Sequence, residues 1–191
     1  MKIKYIFFDC FGVIAAEVAP VWTNAHLTKE QAKEFLSGVM VESDYGRVKQ
    51  DEMFSILSNL CGEPKEQVRE EWIRLAKVNE EVRAYIKELR KTYKTALLSN
   101  AYDGCIGLTF SDEELDELFD VKVISSEVGQ VKPLPDIYKT VLNRASCEPC
   151  EAVFTDDNPV NLQTAKELGI NVIHFKNLEQ FKKELNEIVM R

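Results

Sequence analysis

Bulky, strand-favouring residues crowd the start of the chain: Ile3, Tyr5, Ile6, Phe7 and Phe8. Such density predicts a buried strand over residues 2–8. Asp9-Cys10-Phe11-Gly12 ends it with a charge and then a breaker. From about residue 15 to residue 78 the spacing is helical, with no strand pattern. Thr28-Lys29-Glu30-Gln31 reads as a capping box. It leads into Ala32, Phe35, Leu36 and Val39, spaced for one helix face. Asp51 opens another helix through Met53, Phe54, Ile56, Leu57 and Leu60. Gly62-Glu63-Pro64 ends that helix and begins the next, through Trp72 and Leu75.

Beyond residue 79 helices and strands alternate. A helix carrying Val82, Tyr85, Ile86 and Leu89 precedes a strand at residues 95–98. Further strands are predicted at residues 121–124, 152–155 and 170–173. Helices are predicted at residues 135–144 and 178–189, and Asn158-Pro159 reads as the cap and first turn of another. This alternation predicts an α/β fold with a mostly parallel sheet covered on both faces. The core would comprise residues 1–14 and 79–191, with residues 15–78 inserted as a helical block directly after the first strand. In open parallel sheets ligands bind beyond the carboxyl ends of the strands, so the insertion is expected to stand over that edge as a lid.

Composition narrows the class. At 191 residues, 45% hydrophobic and 29% charged, the chain is ordinary globular material and can bury a core. The 24 Lys+Arg against 32 Asp+Glu give a net charge of −8. That balance argues against nucleic acid or an anionic membrane as the partner. No run reaches the ~18 apolar residues of a membrane span. The opening stretch reads as a strand and not a signal peptide. Five cysteines at irregular spacings fit a reducing cytoplasm better than a disulfide framework. Oligomeric state leaves no mark in the pattern.

The candidate chemistry sits where strands stop. Asp9 follows the first strand, Ser99 and Asn100 the second, Asp156 and Asp157 the fourth. Lys132 lies in the loop after the third. Three carboxylates crowding one crevice repel by several kcal/mol when like charges stand ~4 Å apart in a partly buried site. Lys132 supplies one positive charge. A hard divalent cation, Mg²⁺ beside phosphate, would supply the rest. Asp9 then has one oxygen for the metal and one to attack phosphorus. Ser99 and backbone N–H groups can hold phosphoryl oxygens, and Lys132 can offset developing charge.

Four segments carry a family resemblance: Phe8-Asp9-Cys10-Phe11-Gly12-Val13, Leu97-Leu98-Ser99-Asn100, Lys132-Pro133-Leu134-Pro135-Asp136-Ile137-Tyr138, and Phe154-Thr155-Asp156-Asp157-Asn158-Pro159-Val160-Asn161. In these, in this order, the chain resembles the haloacid dehalogenase (HAD) superfamily along essentially its whole length. The resemblance implies a three-layer, Rossmann-like core with a small helical cap of the C1 type. It implies a phosphatase acting with Mg²⁺ on a small phosphorylated metabolite. Asp9 would be nucleophile and metal ligand, and Asp157 a second ligand. Asp156 would ligate directly or through water, and the Phe11 backbone carbonyl would be a further ligand. Ser99 and Lys132 would hold the phosphate.

One departure stands out. Most phosphatases of this family place a second Asp two residues after the nucleophile, as general acid and base. Here that residue is Phe11. Such proton transfer is typically worth ~10²–10⁴-fold. Three readings follow. The protein is a phosphatase with another proton source, or with a leaving group needing none, such as a sugar 1-phosphate. Or it is a 2-haloacid dehalogenase, whose relatives carry an aromatic residue here and a Ser-Asn pair, but work without metal and lack the acidic pair. Or it is catalytically silent and binds a phosphorylated ligand or a partner.

Other residues invite plainer readings. Tyr45 and Arg47, flanking Gly46, are candidates to line the substrate site from above, beside Asn100 from below. Lys49 matches the cap lysine of phosphonate-cleaving relatives but is more simply solvated. Cys10 reads as a buried filler. Cys147 and Cys150 form a lone CxxC without the second pair a zinc site needs, and read as loop thiols. His26 and His174 read as structural.

Overall fold

A computed structural model describes residues 2–190. Met1 and Arg191, the outer ends of the expected core segments, lie outside the described residues. The chain opens with β1 (Tyr5–Phe8), then runs through α1 (Ala19–His26), α2 (Lys29–Ser37), α3 (Val39–Asp44), α4 (Gln50–Cys61), α5 (Lys65–Leu75) and α6 (Glu80–Leu89). After β2 (Lys94–Ser99) come α7 (Asp112–Leu118), β3 (Val121–Ile124), α8 (Ser125–Val128) and α9 (Pro135–Ala145). The chain closes with β4 (Ala152–Asp156), α10 (Pro159–Glu167), β5 (Asn171–His174) and α11 (Leu178–Val189). The strands form one sheet in the order β3-β2-β1-β4-β5, and every pairing is parallel.

Strand alternation sorts the core into two layers. Phe7, Leu98 and Phe154 point to one face and pack with Tyr138 and Val141 of α9 and Leu162 and Ala165 of α10. Ile6, Phe8, Leu97 and Val153 point to the other, against Val82 and Ile86 of α6 and Phe181 and Leu185 of α11. Both faces are covered, which is why the strands read as continuous apolar runs and not as alternating ones. The second layer continues into the inserted helices. Trp72 of α5 meets Trp22 of α1 at 5.9 Å between ring centroids, Phe54 of α4 at 5.8 Å, and Tyr102, just after β2, at 6.5 Å. This aromatic cluster seats α1–α5 on the loop that leaves the carboxyl end of β2.

The predicted strands all form: β3 spans the predicted residues, β2, β4 and β5 differ by one residue at one or both ends, and the first is shortened to Tyr5–Phe8. The Thr28 capping box forms as read: Gln31 N–H donates to Thr28 Oγ1 at 3.2 Å, and Thr28 N–H to Gln31 Oε1 at 3.0 Å. The structure adds α1, α3, α7 and α8, which the apolar spacing did not predict as separate helices. Helix α7 is almost all acidic on its exposed side, yet a second capping box, Ser111 with Glu114, marks its start.

Phe181 is fully buried and contacts Phe8 at 5.6 Å and Tyr85 at 6.1 Å, both edge-on. Phe181→Ala is expected to cost about 3–5 kcal/mol, read as a lower urea midpoint with unchanged slope.

Candidate active site

Pairing register brings the acidic residues together. Phe8 pairs with Thr155, so Asp9 and Asp156, one residue further along, emerge side by side. Asp9 N–H donates to the Thr155 carbonyl at 3.0 Å, extending that pairing past the strand end. Lys132 is buried between the two carboxylates. Its Nζ lies 2.7 Å from Asp9 Oδ1 and 2.7 Å from Asp156 Oδ2. Asp9 Oδ1 also accepts from the Cys10 backbone N–H at 2.7 Å. Among the described residues no protein group donates to Asp9 Oδ2, which leaves that oxygen available.

Asn100, expected to contact substrate, lines the cavity above the site and also grips the Lys132 backbone. Its Nδ2 donates to the Lys132 carbonyl at 2.9 Å and its Oδ1 accepts from the Lys132 N–H at 2.8 Å. Both ends of the amide are spent clasping the backbone that aims the lysine. Ser99 is fully buried at the end of β2, and its hydroxyl donates weakly, at 3.3 Å, to the Asn100 carbonyl. Asp156 is also fully engaged. Oδ1 accepts from Asn158 N–H at 2.8 Å and Asn161 Nδ2 at 3.1 Å, while Oδ2 accepts from Asn161 Nδ2 at 3.0 Å besides Lys132.

Asp157 stands apart from this network and against Gly12. The turn after β1 closes with Ile14 N–H on the Cys10 carbonyl at 2.7 Å and Gly12 N–H on the Ala15 carbonyl at 2.8 Å. Gly12 sits at φ +80°, and a Cβ there would lie 2.2 Å from Asp157 Oδ2. The missing side chain is therefore the space that the Asp157 carboxylate occupies. His174 donates from Nε2 to the Asp157 backbone carbonyl at 2.9 Å, a structural role. Oxygens of Asp9, Asp156 and Asp157 lie within 4.8 Å of one another. All-oxygen donors at this spacing, with one glycine hollowed out for a carboxylate, fit a hard divalent cation.

Electrostatics point the same way. Burial, reinforced by Asp156, raises Asp9 well above the usual carboxylate range despite Lys132. Burial and then Asp156 also raise Asp157. Lys132 would be lowered by burial, but Asp9 and Asp156 outweigh that and hold it raised and charged. The carboxylates thus lack sufficient positive charge, and a divalent cation would restore it.

Above this edge lies a cavity of about 410 Å³, walled by Asp9, Phe11, Lys132, Asp157 and Asn161 below and by Met40, Asp44 and Trp72 of the inserted helices above. Glu17 also lines it. Tyr45 and Arg47 do not reach it. The Arg47 guanidinium stacks on the Tyr45 ring at 4.3 Å and forks onto Glu42 at 3.1 Å, so both are held on the outer surface. Lys49 pairs with Asp103 at 3.5 Å in the open. Sequence reading missed Asp44 and Glu17. Asp44 immediately precedes the Tyr45-Gly46-Arg47 stretch, which was the only signal pointing near it.

The site thus combines a parallel sheet edge, a buried Asp–Lys–Asp bridge, a carboxylate oxygen without a protein donor among the described residues, and a helical roof. The sequence matches the family model of the haloacid dehalogenase-like hydrolases over residues 3–169, and the chain belongs to that family. It is 28% identical to D-ribitol-5-phosphate phosphatase of Bacteroides thetaiotaomicron over 98% of each chain. Its fold resembles a HAD-like family hydrolase from Porphyromonas gingivalis, at 26% identity, TM-score 0.82 and full coverage of both chains. It also resembles a HAD family enzyme from Bacteroides thetaiotaomicron in complex with magnesium and inorganic phosphate, at 24% identity and TM-score 0.76, over 91% of this chain and 94% of that one.

Gly12→Ala would drive a methyl group into the Asp157 carboxylate at a left-handed φ. Mg²⁺ affinity is expected to fall about 10–100-fold by titration calorimetry, with cooperative unfolding retained.

Proposed function

We propose that the chain is a Mg²⁺-dependent phosphatase of small phosphate monoesters, with Asp9 as nucleophile. The carrying observation is the asymmetry of Asp9. Lys132 and the Cys10 N–H hold Oδ1, while Oδ2 is free of donors. A carboxylate gripped by one oxygen presents the other in a fixed direction, which is what in-line attack requires. The 98% coverage by a phosphatase relative supports the same reading.

In this reading residues 1–14 and 79–191 form the core and residues 15–78 the cap. Asp9, Asp157 and the Phe11 carbonyl would hold Mg²⁺, with Asp156 reaching it only through water because its own oxygens are occupied. Mg²⁺ would supply charge neutralisation at the phosphoryl oxygens. Lys132 stays protonated and offsets charge as Asp9 Oδ2 bonds to phosphorus and the leaving oxygen departs. Ser99 exchanges its weak bond to Asn100 for a phosphoryl oxygen. Water then hydrolyses the aspartyl-phosphate. The cavity suits a small sugar or polyol phosphate and is far too small for a macromolecular partner. Cys10, Cys61, Cys105 and Cys147 are free thiols, which supports a cytoplasmic setting. Among the described residues no helix is long and apolar enough to cross a membrane.

Phe11 and the Ser99-Asn100 pair favour a dehalogenase, but a metal-free site would leave Asp157 uncompensated in its hollow. Hydrolysis of 4-nitrophenyl phosphate with Mg²⁺ and with EDTA, beside halide release from 2-chloropropionate, separates the two. The expected result is turnover of the phosphate ester only, abolished by EDTA and by Asp9→Asn. Halide release without phosphate turnover would overturn the proposal. Binding of phosphate without turnover of any ester would leave only a ligand-binding role.

A further inference from the structure

Phe11 has no exchangeable proton, yet an alkyl oxygen leaves phosphorus poorly as an alkoxide. If the site is a phosphatase, as proposed above, some other group must protonate that oxygen. In-line geometry says where that group stands. Asp9 attacks from the sheet edge, so the leaving oxygen lies opposite, toward the roof of inserted helices. Besides Asp9 and Asp157, two carboxyl groups line the cavity, Glu17 and Asp44, and Asp44 belongs to the roof of inserted helices.

We propose that Asp44 is the general acid and base of this enzyme, acting from the cap in the place that Phe11 leaves empty. Asp44 closes α3. Its Oδ1 is buried and has no hydrogen-bond partner in the protein. A buried oxygen left unpaired is far less costly on a neutral carboxyl than on a carboxylate, so this residue in the cavity wall is suited to carry a proton. The segment is seated firmly. Gly46, two residues on, lies at φ +74° so close to α8 that a Cβ would come within 2.4 Å of the Ser126 carbonyl oxygen. Glu17 is the lesser candidate. The charges that act on it most are Asp157, then Lys132, then Asp156, so it belongs to the metal side of the cavity and not to the side of the leaving oxygen.

The titration of Asp44 suits the role. Burial lifts it from the ordinary 3.8 to about 7, with Glu17 pushing it up and Lys132 pulling it down. The Cys105 thiol is the other titratable group that faces it, and burial keeps that thiol protonated at about 12. Asp44 is therefore a proton donor below pH about 7.

The balance is simple. As the Asp9 Oδ2–phosphorus bond forms and the ester P–O bond breaks, the Asp44 carboxyl gives its proton to the departing oxygen and the alcohol leaves. Water enters from the same side. Asp44, now a carboxylate, takes a proton from it as its oxygen bonds to phosphorus. Phosphate and free Asp9 result, and Asp44 is protonated again.

The test is Asp44→Asn, assayed with Mg²⁺ on 4-nitrophenyl phosphate, phenyl phosphate and D-ribitol 5-phosphate. The first leaving group needs almost no protonation. Its kcat/KM, which reports transfer to Asp9, is expected to change less than about tenfold, while kcat/KM on the other two falls about 10²–10⁴-fold, and kcat falls on all three through the shared hydrolysis step. In the wild type kcat/KM for phenyl phosphate should decline as pH rises through about 7, and that limb should vanish in Asp44→Asn but persist in Glu17→Gln. The raised folded value means that ionised Asp44 opposes folding, with the full penalty present above pH 7. Asp44→Asn should therefore melt no lower than wild type, which separates catalysis from misfolding. An equal loss of kcat/KM on all three esters, a rise in KM alone, or an unchanged pH limb would overturn the inference while leaving the phosphatase reading intact. No Mg²⁺-dependent turnover by the wild type would overturn both.

Discussion

Everything at this site hangs on one buried ammonium between two buried carboxylates. Lys132 Nζ lies 2.7 Å from both Asp9 and Asp156. Charges removed from water cost several kcal/mol each and are recovered only by good geometry and complete hydrogen bonding. That geometry is assembled from distant parts of the chain. The β1–β4 register sets the two aspartates side by side. Asn100, at the end of β2, fixes the backbone of Lys132 through both ends of its amide. Asn158 and Asn161, at the start of α10, complete the shell of Asp156. The fold is thus a device for holding Asp9 by one oxygen.

The same network explains why the site is short of positive charge. Asp9, Asp156 and Asp157 face a single lysine, and burial makes the imbalance felt as raised titration of Asp9 and Asp157. A divalent cation restores neutrality, and only then does a phosphate dianion meet a favourable field on a protein of net charge −8. The roof carboxyls would add to the repulsion if ionised. Burial, which raises Asp44 to about 7, lessens that conflict at neutral pH.

Much of this was legible in the chain before its structure. Strands buried on both faces write themselves as dense apolar runs, and residues at their ends, Asp9, Ser99 and Asp156, followed from those runs. Lys132 was legible from its place after the third strand. The hidden parts are those decided by long-range contact. Asn100 reads as a substrate ligand, and nothing local says that its amide also closes on a backbone 32 residues away. Tyr45 and Arg47 read as roof residues because the loop was correctly suspected. Which of its side chains faces inward depends on how Gly46 seats on Ser126. Helices α1 and α3 carry too little apolar periodicity to be seen, since each buries only one or two residues.

Moving the acid from the strand loop to the roof changes what the roof must do. An acid two residues after the nucleophile is in place whether or not the helices above are seated. An acid at the end of α3 is in place only when α3 is down against α8. Cleavage of a poor leaving group is then tied to closure, while attack by Asp9 is not. Moving the acid also makes the apolar bulk of Phe11 intelligible. Standing in the cavity wall, it displaces water from beside Asp9 and lowers the local polarity. In such surroundings a roof carboxyl stays protonated near neutrality.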